Sequence, residues 1–168
     1  MIKDDAVDGM KRYFADKSRY INHTLKVLAY AEKILEGEAI KYDFMKEVTV
    51  LSSIYHDIGI PESEKKYSSS AAEYQEMEGP PIARKLMERL GIRPDIVERV
   101  LYIVGSHHTK ERVDGIDFQI LWEADFLVNI EEKNIIIDKE FLSETVRENF
   151  STNTGNRLIN ELLERTED

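Results

Sequence analysis

Apolar residues recur at helical spacing over nearly the whole chain, and this pattern limits the possible folds more than any other feature of the sequence. Between residues 17 and 36 two apolar stripes run side by side, one formed by Ile21, Leu25, Leu28 and Leu35 and the other by His23, Val27, Tyr30 and Ile34. A helix with two such stripes buries more than one face. Residues 17–36 are therefore predicted to form an inner helix, with Gly37 at its end.

The same spacing predicts further helices at 43–57, 71–78, 80–90, from Pro94 to about 105, 116–130, 138–149 and 155–166. Pro80 and Pro81 are expected to separate two of them, because proline disrupts a helix interior. The polar stretch 61–70 follows Gly59 and Pro61 and is predicted to be a loop. The expected fold class is all-α, with one domain over residues 1–168 whose C-terminal helices, 138–166, pack on a core at about 19–130.

Composition excludes several classes of protein. The chain of 168 residues contains no cysteine, so disulfides and thiolate metal ligands are excluded. A net charge of −10 argues against broad nucleic-acid binding, which needs a basic face. No apolar run is long enough to span a membrane, and the N-terminus lacks the apolar segment of a secretory signal. A cytoplasmic location is expected, and a homo-oligomer is left open.

The four histidines, and two of the acids, occupy unusual positions. His23, His56, His107 and His108 lie on apolar faces or at helix ends, and Asp57 and Asp125 lie among apolar residues. Each position has an ordinary explanation, such as a hydrogen-bonded core histidine or an acid paired with arginine. Together, however, imidazole nitrogens and carboxylate oxygens form a ligand set that suits Mn, Fe, Co, Ni or Zn.

The order of these residues resembles the pattern of the HD-domain superfamily of metal-dependent phosphohydrolases. Residues 55–59 (YHDIG) look like the signature doublet of that family, and residues 23–27 (HTLKV) look like its opening helix. Residues 79–86 (GPPIARKL) with Gly91, residues 106–108 (SHH) and residues 123–125 (EAD) are similar to its later motifs. The resemblance covers residues 19 to about 130 and implies an HD-domain helical bundle with a central metal site.

The resemblance implies that His23, His56, Asp57 and Asp125 hold one divalent transition metal ion. Such an ion lowers the pKa of bound water and supplies hydroxide near neutral pH. Asp57 is the implied catalytic residue, which orients or deprotonates the water. Lys26 is a second candidate catalytic residue and a candidate phosphate contact.

Three further residues are candidates for binding substrate. Arg19 lies one helical turn before His23 and is a second candidate phosphate contact. His107 and His108 are also candidates, and His107 is alternatively a proton donor or a ligand of a second metal.

The sequence departs from the family pattern at two positions. Gln75 stands where members with a second metal have a histidine, so a second metal is doubtful. Ile60 stands where many members have a basic residue.

The resemblance therefore favours a hydrolase that cleaves a phosphomonoester or phosphodiester, expected to be a nucleotide, by metal-activated water. One alternative is a catalytically silent nucleotide-sensing module that retains the metal. Another is an oxygen-using iron enzyme of the same superfamily, which needs two metals.

Overall fold

The computed structural model describes residues 2–133 and 139–165, and these contain α-helices and no β-strand. The helices are α1 (Ile2–Phe14), α2 (Ser18–Gly37), α3 (Asp43–Tyr55), α4 (Ile60–Tyr67), α5 (Ala72–Arg89), α6 (Pro94–Val104), α7 (Ile116–Lys133), α8 (Lys139–Asn149) and α9 (Asn153–Arg165), with one 3-10 turn at Lys110–Arg112. The predicted all-α class is confirmed. None of the described helices has both the length and the apolar character needed to cross a bilayer.

Helix α3 lies at the centre of the bundle, where it contacts α1, α2, α6 and α7. Its C-terminal half is almost wholly buried, and Leu51, Ile54 and Tyr55 are part of the core. The helix ends at Tyr55, two residues before the predicted end, and residues 56–59 form a turn. His56 and Asp57 therefore lie on a turn at the end of the central helix, between α2 and α7.

The sequence analysis missed helix α1. Its buried residues, Ala6, Met10 and Phe14, recur every four positions between charged residues, which is the pattern of one buried helical stripe. The helix packs against α2, α3 and α5. It therefore covers the side of α3 on which Tyr55 lies.

The predicted loop at 61–70 was wrong, because residues 60–67 form α4. Pro61 lies in the first turn of this helix, where backbone N–H groups have no partner within the helix, so the missing N–H of proline costs no hydrogen bond. Glu64 accepts hydrogen bonds from Lys17 Nζ at 2.6 Å and from the Tyr20 hydroxyl at 2.5 Å. These contacts tie α4 to α2, so the polar residues that suggested a loop serve instead to fix a short helix.

The predicted break at Pro80 and Pro81 was also wrong, because α5 continues through both prolines. Helix α5 packs along α6 and α4, and Gly105 at the end of α6 lies against Pro80. Gly59 lies so close to α5 that an added Cβ would be 2.6 Å from the Gln75 carbonyl oxygen. Tertiary contacts on both sides hold this helix together despite its prolines.

Glu123 joins α7 to the start of α9. Its buried carboxylate accepts hydrogen bonds from the backbone N–H groups of Ser151 and Thr152, at 2.7 and 2.9 Å, and from the Thr152 hydroxyl. The Thr152 hydroxyl oxygen in turn accepts from the N–H of Gly155, in the manner of a helix N-cap. Helix α9 thereby lies against α2 and α7. The assignment of residues 1–168 to one domain stays a prediction.

Candidate metal centre

The four residues predicted to hold a metal meet at one point. The Nε2 atom of His23 lies 3.0 Å from Asp125 Oδ1 and 3.6 Å from Asp57 Oδ2. The Nε2 atom of His56 lies 3.4 Å from Asp57 Oδ2, 3.4 Å from His23 Nε2 and 3.8 Å from Asp125 Oδ1. Three separate segments, α2, the turn after α3, and α7, therefore bring two imidazoles and two carboxylates together.

Hydrogen bonds on the outer side of each ring prepare these imidazoles to bind a metal. His56 Nδ1 lies 2.9 Å from the Ser53 carbonyl oxygen, and His23 Nδ1 lies 3.1 Å from Glu132 Oε2. Both partners are acceptors, so each Nδ1 carries a proton and each Nε2 faces the cluster. Carboxylates with imidazoles held in this way fit a divalent transition metal ion.

Electrostatics in the cluster also suit a cation. Burial disfavours ionised Asp57, but the imidazoles of His56 and His107 outweigh burial and hold the pKa of Asp57 well below its usual value. Burial lowers the pKa of His56, but the neighbouring carboxylate of Asp57 raises it more, so that the pKa of His56 is raised to about 9. The pKa of Asp125 is lowered, since its hydrogen bond to His23 and the charge of His56 outweigh burial. Protons on the imidazoles thus balance the negative charge of the carboxylates, and a bound metal ion would replace these protons.

His107 and His108 lie on the other side of Asp57. His107 is buried, its Nδ1 donates to the Val104 carbonyl oxygen at 2.7 Å, and its Nε2 is 3.5 Å from Asp57 Oδ1. That Nε2 finds no hydrogen-bond partner among the described residues. Asp57, His107 and His108 each offer a ligand atom within 4.8 Å of the others. These three residues could hold a cation as well as contact substrate.

Gln75 occupies the place beside His108 where the family resemblance led us to look for another histidine. The Gln75 amide donates to the Ser70 carbonyl oxygen at 2.6 Å, so its own oxygen faces His108 Nε2 at 3.2 Å and accepts a hydrogen bond. Burial and the neighbouring His107 lower the pKa of His108 to about 4. His108 is therefore a neutral ring whose Nε2 proton is donated to Gln75, and Gln75 supplies no imidazole.

The candidate metal cluster, formed by His23, His56, Asp57 and Asp125, opens into a cleft of about 170 Å³. Arg19 and His108, two of the residues predicted to bind substrate, line this cleft, and Ile60 contributes an apolar wall. Lys26 instead borders a neighbouring groove of about 710 Å³, which Arg19 also lines. The Lys26 ammonium lies 3.5 Å from Glu132 Oε1. Of the two predicted phosphate contacts, Arg19 thus lies at the cluster and Lys26 beside it.

Two polar residues of the site escaped the sequence analysis. Asn129 donates to Asp125 Oδ1 at 2.9 Å, and Glu132 supports His23 as described above. Asp125, Asn129 and Glu132 are spaced at i, i+4 and i+7 and so share one face of α7. That polar stripe on α7 was the available signal.

We expect Glu132→Gln to weaken metal binding by about 10- to 100-fold, the usual effect of losing an acidic partner of a metal-binding histidine. The amide cannot stabilise the protonated Nδ1 of His23 as well as the carboxylate does. Glu131→Gln is the matched control, because it removes the same charge from the next residue, whose carboxylate accepts from the Tyr30 hydroxyl. Titration with Mn²⁺ or Zn²⁺ in a competing chelator measures the affinity. Equal affinities for the two variants would contradict the role of Glu132.

We expect the affinity for a divalent metal to rise with pH between about 6.5 and 9. The pKa of His56 in the metal-free protein is about 9 against an ordinary value of 6.5. Below the raised pKa, His56 must lose a proton before its Nε2 can bind a metal, so affinity falls as the pH is lowered. Titrations in the same chelator buffer at pH 7, 8 and 9 check this, after correction for protonation of the chelator. An affinity that does not change over this range would contradict it.

Known proteins with similar sequence or fold place the chain in a family. The family model of the HD domain matches residues 20–147, which include every predicted metal ligand. No curated protein sequence matches the chain. A similar solved structure is the crystal structure of a predicted HD superfamily hydrolase from an uncultured Thermotogales bacterium, with 20% identity, a TM-score of 0.66, and coverage of 96% of this chain and 89% of that chain. At this identity the likeness concerns the fold, whereas the family match spans most of the sequence. The chain belongs to the HD domain family.

Proposed function

We propose that the protein is a metal-dependent phosphohydrolase that cleaves a phosphomonoester or phosphodiester of a nucleotide. The observation that supports this best is the convergence of His23, His56, Asp57 and Asp125, with both imidazole Nδ1 atoms held by acceptors behind them. A divalent cation bound there would acidify a coordinated water and stabilise negative charge on a phosphoryl group.

Asp57 is the residue best placed to orient the attacking water. Its two oxygens face different imidazoles, with Oδ2 3.4 Å from His56 Nε2 and Oδ1 3.5 Å from His107 Nε2. Its lowered pKa keeps it ionised at neutral pH, so it can accept a hydrogen bond from water but is a weak base. Of the two roles that the sequence suggested for Asp57, orientation of the water is therefore favoured over its deprotonation.

Arg19 is the residue best placed to hold the phosphate. It lines the cleft beside His23, and its guanidinium forms no ion pair with another described residue. A free guanidinium offers two parallel N–H donors to phosphate oxygens. Lys26, which we also propose as a phosphate contact, forms an ion pair with Glu132 and lies further along the neighbouring groove.

The neighbouring groove supports a nucleotide as the substrate. Its volume of about 710 Å³ lies within the range of small-molecule sites, about 300–1,000 Å³. Leu25 and Ala29 provide apolar surface, and Asn22 provides an amide that could bond to a base or sugar. Because Arg19 lines both the groove and the cleft, a phosphate near the metal ligands would leave the rest of the substrate in the groove.

A hydrolysis screen tests the proposal. The protein is stripped with a chelator, reloaded with Mn²⁺, Co²⁺, Ni²⁺, Zn²⁺ or Fe²⁺, and assayed for phosphate release from nucleotides and for cleavage of aryl phosphate esters. Metal-dependent turnover of a nucleotide is expected. In the active protein, Arg19→Gln should raise KM, whereas Arg84→Gln, which removes a surface arginine paired with Glu98, should not. No turnover with any metal and substrate would overturn the proposal.

A nucleotide-sensing module without turnover is the second candidate function. Ile60 favours it, because this apolar side chain lines the cleft where many family members would place a cation. Such a module binds metal and nucleotide but releases no product, so binding measurements on the same reloaded protein separate the two functions. An iron oxygenase would need two metals for each chain, which metal analysis counts directly.

A further inference from the structure

A second cleft, of about 360 Å³, lies between α1 and α5. Gly9, Arg12 and Tyr13 line it from α1, Leu86 and Arg89 line it from α5, and Tyr55 lines it from the last residue of α3. It shares no lining residue with the cleft at the candidate metal cluster. This second cleft therefore lies on a different side of the end of α3.

Tyr55 is the most deeply buried residue among those that line this cleft. Its side chain is 0% exposed, and its hydroxyl has no hydrogen-bond partner among the described residues. An unpaired hydroxyl that is shielded from water costs free energy, which an acceptor would recover.

Two guanidinium groups give the same cleft a positive charge. Within the described part of the chain, neither Arg12 nor Arg89 forms a hydrogen bond or an ion pair, whereas Arg84 and Arg99 are each bonded to acids. Among the described residues that line the cleft, Asp5 is the one acid, so these side chains carry a net positive charge. In a chain of net charge −10, this is a local reversal of sign. Donors of this kind bind carboxylates and phosphates.

The remaining walls of the cleft are apolar or open. Leu86, Leu90 and the ring of Tyr13 supply apolar surface. At Gly9, nothing lies within 4 Å of the position that a Cβ would take, so the glycine leaves the space above α1 free. The cleft thus combines room for a small apolar body with donors for an anionic group.

We propose that the cleft between α1 and α5 binds a small organic oxyanion, with Arg12 and Arg89 holding the anionic group and the Tyr55 hydroxyl donating a hydrogen bond to the ligand. The oxyanion is a carboxylate or phosphate carried on an apolar body. Since Tyr55 directly precedes His56, the bound ligand contacts the chain one residue before a proposed metal ligand. This binding site is independent of the hydrolytic activity proposed above.

Titration with phenylphosphonate and, separately, with benzoate tests the proposal and distinguishes the two kinds of oxyanion. Binding is followed by the amide signals of the ¹⁵N-labelled, metal-free protein. Saturable shifts are expected at Gly9 and Leu90 with at least one probe. Combined Arg12→Gln and Arg89→Gln substitutions should weaken this binding at least about tenfold, the effect of losing charged hydrogen bonds. Arg19→Gln is the matched control, because Arg19 lines the other cleft, and it should leave these shifts unchanged.

Two further variants address the floor and the opening of the cleft. Tyr55→Phe keeps the ring and should weaken binding about three- to tenfold, the value of one hydrogen bond. Gly9→Leu should fold, because its Cβ meets no neighbour, and should abolish the shifts by filling the space. Shifts confined to residues of the metal cleft, such as Asn129, would overturn the proposal, as would the absence of saturable shifts with both probes. Unchanged affinity in Tyr55→Phe or binding by Gly9→Leu would also overturn it.

Discussion

Asp57→Asn is expected to release the metal and to lower hydrolysis by at least about a thousandfold. Among the described residues two groups could hold a cation, and Asp57 belongs to each, with His23 and His56 on one side and with His107 and His108 on the other. The amide keeps the shape of the side chain but removes the charge that balances the imidazoles. A bound cation is worth several kcal/mol to a transition state, and each 1.36 kcal/mol is tenfold in rate.

Metal content of protein purified without chelator and kcat/KM on the best substrate of the screen check this prediction together. Asp8→Asn is the matched control, because it makes the same substitution on an exposed face of α1. The control should retain both metal and activity. If Asp57→Asn keeps its metal and loses only turnover, Asp57 orients the water but is not needed as a ligand. If it keeps both, the proposed centre is wrong.

Gly59→Ala is expected to lower the free energy of unfolding by about 2 kcal/mol or more, near the upper part of the range for overpacked sites. The new Cβ would lie 2.6 Å from the Gln75 carbonyl oxygen and 2.7 Å from the Gly79 nitrogen. Both are backbone atoms of α5, so neither can move aside as a flexible side chain would. Relief requires the turn after α3 to move away from α5, and His56 and Asp57 lie on that turn.

Urea unfolding of the metal-free protein measures this effect, and Gly9→Ala is its matched control. Gly9 lies within α1, where a Cβ meets nothing within 4 Å. Alanine there should stabilise the protein by about 0.5–1 kcal/mol, because glycine is the poorer residue inside a helix. Opposite signs for the two substitutions are expected. A loss below about 0.5 kcal/mol for Gly59→Ala would contradict the close packing of the turn on α5.

Most of the helices other than α1 and α4 could be predicted from the sequence, because helical spacing is a local property. The helix predicted at 17–36 is observed at Ser18–Gly37, and the helix predicted at 116–130 falls within Ile116–Lys133. The two predictions that were wrong, the loop at 61–70 and the break at Pro80 and Pro81, arose where local signals compete with packing. Pro80 and Pro81 disfavour a helix in isolation, yet α5 passes through them between α4 and α6. Contacts between helices outweighed a local preference that is worth only a few kcal/mol.

The sequence by itself determined the types of ligand atom and the family pattern, because the absence of cysteine and the placement of His23, His56, Asp57 and Asp125 are visible in the chain. The tertiary structure alone decided how the imidazoles are held and charged. His23 contacts Asp125, which lies 102 positions further along the sequence. In an interior of low polarity, each neighbouring charge has a large effect on the pKa of His23. Such contacts depend on where helices cross, which no local spacing specifies.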